Sequence, residues 1–407
     1  MRCTALSFVL LASLSVSAGD WPQLLGPTRD GRSADKDLLD AWPARGPNVV
    51  WQRAIGQGYA SPAIAGDRLV LFHRVGDDDV VECMSAATGK PQWRVATPAA
   101  YSDALGKGDG PRSTPVIAGE RVFTLGPAGQ LACLDLQTGK KHWGKNLLEV
   151  YTVKQSYFGV GTTPLVEGKN LLVNVGGGDG AGIVALNLET GKEAWKATDH
   201  DASYASPIAA TIDGTRHAFF FTREGLVSLD PATGKVRFTR RLRARIDASV
   251  NAASPVLLGG DHLFLSSSYG VGAVVWKVKK DTVEEVWKGK ESLNCHFGTP
   301  VAVGDQLYGF EGRQEEGGQL RCIDWKTGKV RWTENAYGCG SLIAAGDKLF
   351  VLGENGDLGL VKADASKYQE TARASVLGKT FRSHLALANG LLYARDGGKL
   401  VCWKVKK

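Results

Sequence analysis

A Thr-Gly-Lys turn with an aromatic residue four positions beyond its glycine recurs five times in this chain. The copies are Thr88-Gly89-Lys90 before Trp93, Thr138-Gly139-Lys140 before Trp143, Thr190-Gly191-Lys192 before Trp195, Thr233-Gly234-Lys235 before Phe238 and Thr327-Gly328-Lys329 before Trp332. Self-similarity of this kind restricts a chain to a repeat architecture, because each unit buries its apolar face against its neighbours. From Trp51 to Trp93 is 42 residues, and further steps of 50, 52, 43, 49 and 45 reach Trp143, Trp195, Phe238, Trp287 and Trp332. Four short strands and their turns fill about 40 to 50 residues, whereas four helices would not fit. Alternating β-branched and aromatic runs such as Arg121-Val122-Phe123-Thr124-Leu125 agree.

A second element opens each unit: Ser61-Pro62, Thr114-Pro115, Thr163-Pro164, Ser206-Pro207, Ser254-Pro255 and Thr299-Pro300. It leads to a tight turn such as Gly66-Asp67, Gly119-Glu120, Gly304-Asp305 or Gly346-Asp347. Seven complete units start near Ser61, Thr114, Thr163, Ser206, Ser254, Thr299 and Ser341, and an eighth, Phe381 to Lys407, has room for three strands only. The missing strand lies at the other end of the repeat, at Val49-Val50-Trp51-Gln52-Arg53. The expected fold is therefore all-β, an eight-bladed propeller of four-stranded antiparallel blades over residues 48–407. Pairing of the N-terminal strand with the C-terminal blade closes the ring and removes exposed sheet edges.

Ahead of the repeat, Arg2 precedes an apolar run from Ala5 to Val16, and Val16-Ser17-Ala18 ends in small residues. This pattern predicts a signal peptide over 1–18, cleaved near Ala18. The run of about 12 residues is shorter than the roughly 20 a spanning helix needs, so no membrane span is expected. The mature chain is expected in the periplasm or secreted medium, with 19–47 as an extended N-terminal segment. A net charge of +7 over 407 residues is too small to indicate nucleic-acid binding.

The pattern Cys133-Leu134-Asp135, Thr138-Gly139-Lys140, Trp143 resembles the tryptophan-docking repeat of the pyrroloquinoline quinone-like, quinoprotein dehydrogenase-type eight-bladed propellers. Asp20-Trp21-Pro22-Gln23 and Gly110-Pro111-Arg112 also look like exported propellers of this class. The resemblance covers residues 48–407 and implies that Trp51, Trp93, Trp143, Trp195, Phe238, Trp287 and Trp332 dock neighbouring blades. It places the chain near the outer-membrane assembly propeller, although Cys3 precedes the apolar run and cannot be a lipoprotein anchor. It also implies an alternative activity, oxidation of an alcohol or sugar with pyrroloquinoline quinone and calcium. Sites of that kind need two adjacent cysteines, a stacking tryptophan and calcium-binding carboxylates. No two cysteines are adjacent here, and every mature tryptophan belongs to the repeat register or to the N-terminal segment. The expectation is no cofactor and no catalytic role, with a quinoprotein dehydrogenase as the enzymatic alternative.

Cys83, Cys133, Cys322 and Cys402 share one register and are expected as buried thiols. Cys295 and Cys339 leave three readings open: buried thiols, a disulfide, or a metal site with His296. Gly176-Gly177-Gly178-Asp179-Gly180 precedes a strand and reads as a hairpin turn. The cluster Arg237, Arg240, Arg241, Arg243 and Arg245 reads as a solvated edge or a surface for an acidic partner.

Turns between first and second strands, and most between third and fourth, are uniform and share one face of the disk. Connections on the opposite face vary, with long stretches at 96–110, 243–251, 289–297 and 311–318. Recognition usually sits on variable loops carried by a rigid scaffold, so this face and the channel mouth are the candidate binding site. Residues entering the inner strands there are Tyr59, Arg112, Tyr204, Asn251, His296, Tyr337 and Arg382, joined by Asp103, Lys107 and Asp109 from the longest connection. Aromatic rings and guanidinium groups at a concave rim suit a protein or peptide, or a carbohydrate. The protein is expected to act as a monomeric, non-catalytic interaction module. His200, His296 and His384 come from three blades without matched carboxylates, so no catalytic trio is identifiable.

Overall fold

The computed structural model describes residues 19–103, 106, 108–154, 158–380 and 382–407; the expected signal peptide and Lys107 lie outside them. Eight antiparallel sheets follow one another in chain order, with inner strands Ala63–Ala65, Val116–Ala118, Leu165–Glu167, Ile208–Ile212, Val256–Leu258, Val301–Val303, Gly340–Ala345 and Ala386–Ala388. These open blades one to eight of a propeller. Asn48–Ala54 pairs antiparallel with Lys399–Lys404, Trp51 lying opposite Cys402, and so completes blade eight from the N-terminal side. Arg395 of blade eight reinforces this closure: its buried guanidinium donates to the Gly56 carbonyl at 2.7 Å.

The repeat motifs now have physical reasons. The indole N–H of each docking tryptophan donates to a carbonyl of the next blade: Trp51 to Ala86 at 2.8 Å, Trp93 to Leu136 at 2.9 Å, Trp143 to Leu188 at 2.9 Å. Trp195, Trp287 and Trp332 do the same to Pro231, Trp325 and Asp364, while Phe238 fills the equivalent place without a ring donor. The glycine of the Thr-Gly-Lys turn lies beneath that indole. Gly89 has φ +68°, and a Cβ there would stand 2.8 Å from the Trp51 ring. The same close approach recurs at Gly139 on Trp93, Gly191 on Trp143, Gly234 on Trp195 and Gly328 on Trp287. Only glycine combines a left-handed backbone with so near a neighbour at no cost.

The Ser/Thr-Pro element stitches the inner ring. Ser61 N–H donates to the Thr114 hydroxyl, Thr114 N–H to Thr163, Thr163 N–H to Ser206, Ser206 N–H to Ser254 and Ser254 N–H to Thr299. His384 N–H donates to the Ser61 hydroxyl, joining blade eight to blade one. The proline that follows has no N–H and leaves no donor to satisfy at this crowded point.

The N-terminal segment fills the turn-face end of the channel. Trp21, only 1% exposed, exchanges backbone hydrogen bonds with Ile64 of blade one, and the Pro22 carbonyl accepts from Ile117 of blade two. Arg29 sends its buried guanidinium to the carbonyls of Thr163 at 3.3 Å, Pro164, and Pro207 at 2.9 Å on blades three and four. Arg32–Ser33 then adds a fifth, parallel strand to the inner edge of blade seven. The chain leaves between blades seven and eight, where Trp42 stacks on Phe350 with centroids 6.3 Å apart. Residues 20–33 thus plug the turn-face end of the channel.

Candidate functional site

Above the plug lies a cup of about 330 Å³, floored by Leu24 and walled by residues entering the inner strands. Counting two positions back from the six linked hydroxyls of the inner ring, or from His384 in blade eight, gives Tyr59, Arg112, Gly161, Tyr204, Ala252, Phe297 and Arg382, all lining the cup, whereas the same count from Ser341 in blade seven gives the buried Cys339. Side chains alternate about a strand, so this position faces the channel and its neighbour faces the blade.

That register accounts for four of the sequence-predicted residues, and His296 lines the cup one position outside it. Tyr59, Arg112, Tyr204, His296 and Arg382 line the cup. Asn251 and Tyr337 do not, which corrects their placement at the mouth. Asn251 stands one residue out of register, 3% exposed, and its amide donates to the carbonyls of Thr222 at 2.8 Å and Leu242 at 3.2 Å. Tyr337 is buried between blades six and seven, its hydroxyl donating to Glu370 and its ring lying 4.2 Å from the Arg373 guanidinium. The residues overlooked are Phe158, Phe297, Tyr269, Arg313, Glu315 and His384. Phe297 and His384 were within reach of the register count. Tyr269, Arg313 and Glu315 come from connections between second and third strands and have no repeat signal.

Arg112 is a structural cation. It ion-pairs with Asp103 at 3.1 Å, donates to the carbonyls of Gly110 and Gly108, and lies over the rings of Tyr101 at 4.7 Å and Tyr59 at 5.2 Å. Asp109 accepts from the Asp103 N–H at 2.6 Å, so both acids of the long 96–110 connection hold that loop against the rim. Burial raises the Tyr59 hydroxyl above its ordinary value, and Tyr101 is pushed up to about 12 for the same reason.

Opposite stand Arg382, Arg313 and the two histidines of the cup. Arg382 lies over Phe297 at 5.1 Å and donates to Gln314 at 3.0 Å; its φ of +71° is a strained backbone for arginine. Arg313 lies over Tyr269 at 4.4 Å, with Glu315 and Glu316 at 3.4 and 3.6 Å. His296 Nε2 meets the Tyr269 hydroxyl at 3.0 Å. Its Nδ1 and that of His384 are buried without a hydrogen-bond partner among the described residues. Burial lowers both imidazoles to about 4, assisted at His296 by Arg382 and Arg313, so both are neutral at pH 7. Neither has a carboxylate within ion-pairing distance among the described residues. His200 belongs to a different cluster, with Thr222 at 2.9 Å and Glu224 at 3.8 Å.

All six cysteines from Cys83 to Cys402 are free and buried, Cys295 and Cys339 included. Desolvation lifts Cys295 well above the usual thiol range and Cys339 to about 12. Among the described residues no group of three His, Cys, Asp or Glu side chains is arranged to hold a metal ion. No helix among them is long and apolar enough to cross a membrane.

Comparisons with known proteins agree with this architecture. The Moraxella catarrhalis BamB structure superposes with a TM-score of 0.64 at 19% identity, covering 88% of this chain and 98% of that one. The quinohemoprotein alcohol dehydrogenase of Comamonas testosteroni superposes with a TM-score of 0.71 at 13% identity, covering 97% of this chain and 82% of that one. At such identities the likeness is one of fold. In sequence, outer membrane protein assembly factor BamB of Burkholderia pseudomallei is 25% identical over 272 residues, 63% of each chain, so the match spans under two thirds of that relative. The Shewanella oneidensis protein of the same name is 25% identical over 379 residues, 86% of this chain and 87% of its own. A family model described as outer membrane protein assembly factor BamB matches residues 32–149 and 76–334, most of the propeller, and the chain belongs to that family.

Proposed function

We propose that this protein is an exported binding scaffold of the cell envelope that holds a partner protein on its loop-rich face, with the cup as the centre of the contact. The observation that carries this reading is the asymmetry of the disk. One face ends in minimal turns and a plug tied to the inner strands by backbone hydrogen bonds. The other carries the long connections at 96–110, 243–251, 289–297 and 311–318, and five of its inward register positions bear large aromatic or arginine side chains around a cup that ends at Leu24. Rigid aromatic anchors and arginines in a concave, partly desolvated site are the residues that dominate protein interfaces. The family to which the chain belongs is described as an assembly factor, which accords with a binding role.

A quinone with calcium does not fit the cup. Its rings are tyrosines and phenylalanines, no tryptophan lines it, and Glu315 is the one carboxylate among the lining residues. The guanidinium groups favour an anionic partner over a neutral sugar. Site-specific photo-crosslinking tests the reading: a photoreactive residue at Phe297 on the loop face is compared with one at Asp213 in a turn of the other face. Adducts with envelope proteins are expected from the first position; adducts from Asp213 alone would reject it.

A further inference from the structure

A groove of about 540 Å³ runs outward from the cup between blades four and five. Arg243, Arg245, Lys288 and Lys290 line it, and no carboxylate does. Tyr269 lines both groove and cup, so the two are neighbours that share this residue as a wall. Arg243 leans on Asp247 at 3.3 Å, but that acid is 96% exposed and points to solvent. Arg245, Lys288 and Lys290 have no ion-pair partner among the described residues and are exposed. Ile246 sits among them with 56% of its surface exposed. Inward, the positive series continues through Arg313 over Tyr269 and Arg382 over Phe297.

We propose that groove and cup form one track for an acidic, extended peptide segment whose carboxylates alternate with apolar side chains. This rests on the reading of the loop-rich face as the binding face and names the chemistry of its partner. Basic side chains along the groove would meet the carboxylates, and Ile246 with the rings of Tyr269 and Phe297 would meet the apolar residues. The innermost carboxylate reaches Arg382, which has no carboxylate partner among the described residues and whose planar guanidinium matches it in a pair of hydrogen bonds. Because the plug ends the cup at Leu24, the segment enters by an end or a side chain and does not thread through. A nucleic acid or sulfated glycan would satisfy the charges and leave Ile246 and the aromatic walls without apolar partners.

Fluorescence anisotropy of the mature chain with labelled peptides tests the track. The probes are an alternating Asp/Leu peptide of about ten residues, roughly 33 Å extended, its Lys/Leu counterpart, and a heparin fragment. The Asp/Leu peptide should bind, weaken as salt rises, and lose about tenfold or more in affinity in Arg245→Glu/Lys290→Glu. Both residues are exposed, so thermal stability should be unchanged. Lys288→Gln/Lys290→Gln, which only removes charge, should give a smaller loss in the same direction. Equal binding of the two peptides, unaltered affinity in both variants, or preference for heparin over the Asp/Leu peptide would overturn the proposal. Photo-adducts at Phe297 that persist in the charge-reversed variant would overturn the track and spare the face; absence of adducts there removes both.

Discussion

Replacing Arg29 by alanine removes the guanidinium that ties the N-terminal plug to blades three and four. Three carbonyls, those of Thr163, Pro164 and Pro207, lose a charged donor within the buried channel. Gln23, whose side-chain oxygen accepts from Arg29 Nε at 2.8 Å, loses its partner too. A stranded buried acceptor costs about 1–3 kcal/mol. The low end applies, because the space left by the side chain can admit water. Burial also makes the guanidinium expensive, lowering its pKa to about 9, and truncation recovers part of that cost. The net loss is then on the order of 3 kcal/mol. With an unfolding entropy of about 2.1 cal/mol/K per residue over roughly 390 residues, this lowers Tm by about 4 °C.

Scanning calorimetry measures that shift, and hydrogen exchange locates it. The amides of Ile64, Ile117 and Ala344 donate to the plug at 2.8, 2.8 and 2.9 Å and should exchange faster in the variant. Arg29→Lys keeps a charge but lacks the fork that reaches three carbonyls, and should fall between wild type and alanine. A Tm within about 1 °C of wild type, together with unchanged exchange at those three amides, would refute the assignment of Arg29 as the latch. The plug would then be held by the Trp21 bridge, the Ile117–Pro22 hydrogen bond and the strand at Arg32–Ser33.

Gly89→Ala and Gly66→Ala separate backbone strain from crowding. Both glycines have positive φ, but only at Gly89 would the new methyl meet an indole, so urea denaturation should show a loss of about 1 kcal/mol at Gly66 and clearly more at Gly89. Stability should fall as pH drops from 6.5 towards 4, because unfolded histidine takes up a proton in that range while His296 and His384, lowered to about 4 by burial, do not. Each corresponds to roughly 3 kcal/mol. Urea midpoints measured from pH 7 to 5 should therefore fall less steeply in His296→Gln/His384→Gln; equal slopes would contradict the burial of these rings.

The number of blades, their turns and the closure at Trp51 were legible because each depends on contacts repeated at a short sequence period. Rim residues were only partly legible. Tyr59, Arg112, Tyr204 and Arg382 lie two positions before the inner-ring hydroxyl or its counterpart, and the period-two alternation of a strand makes that count reliable. Asn251 lies one residue out of that register, and such a slip turns a side chain from channel to core; Tyr337 comes from blade seven, where even the register position, Cys339, is buried. The arginine run at 237–245 divides because the outer strand ends at Arg241: Arg237, on that strand, pairs with Asp230 at 2.8 Å, while Arg243 and Arg245 follow it and line the groove on the loop face.

Local chemistry therefore determined the propeller: glycines where φ is positive beneath an indole, hydroxyl-proline pairs where blades meet, and a detached strand that completes the last sheet. Tertiary structure alone decided that the channel is plugged, that Arg112 is held by Asp103 at the rim while Arg382 faces the cup with no carboxylate paired to it among the described residues, and that groove and cup share Tyr269. Arg29 meets its carbonyls across 134 to 178 residues of chain. Contacts over such separations leave no periodic trace in a sequence, because they form only once the ring has brought distant blades around one axis.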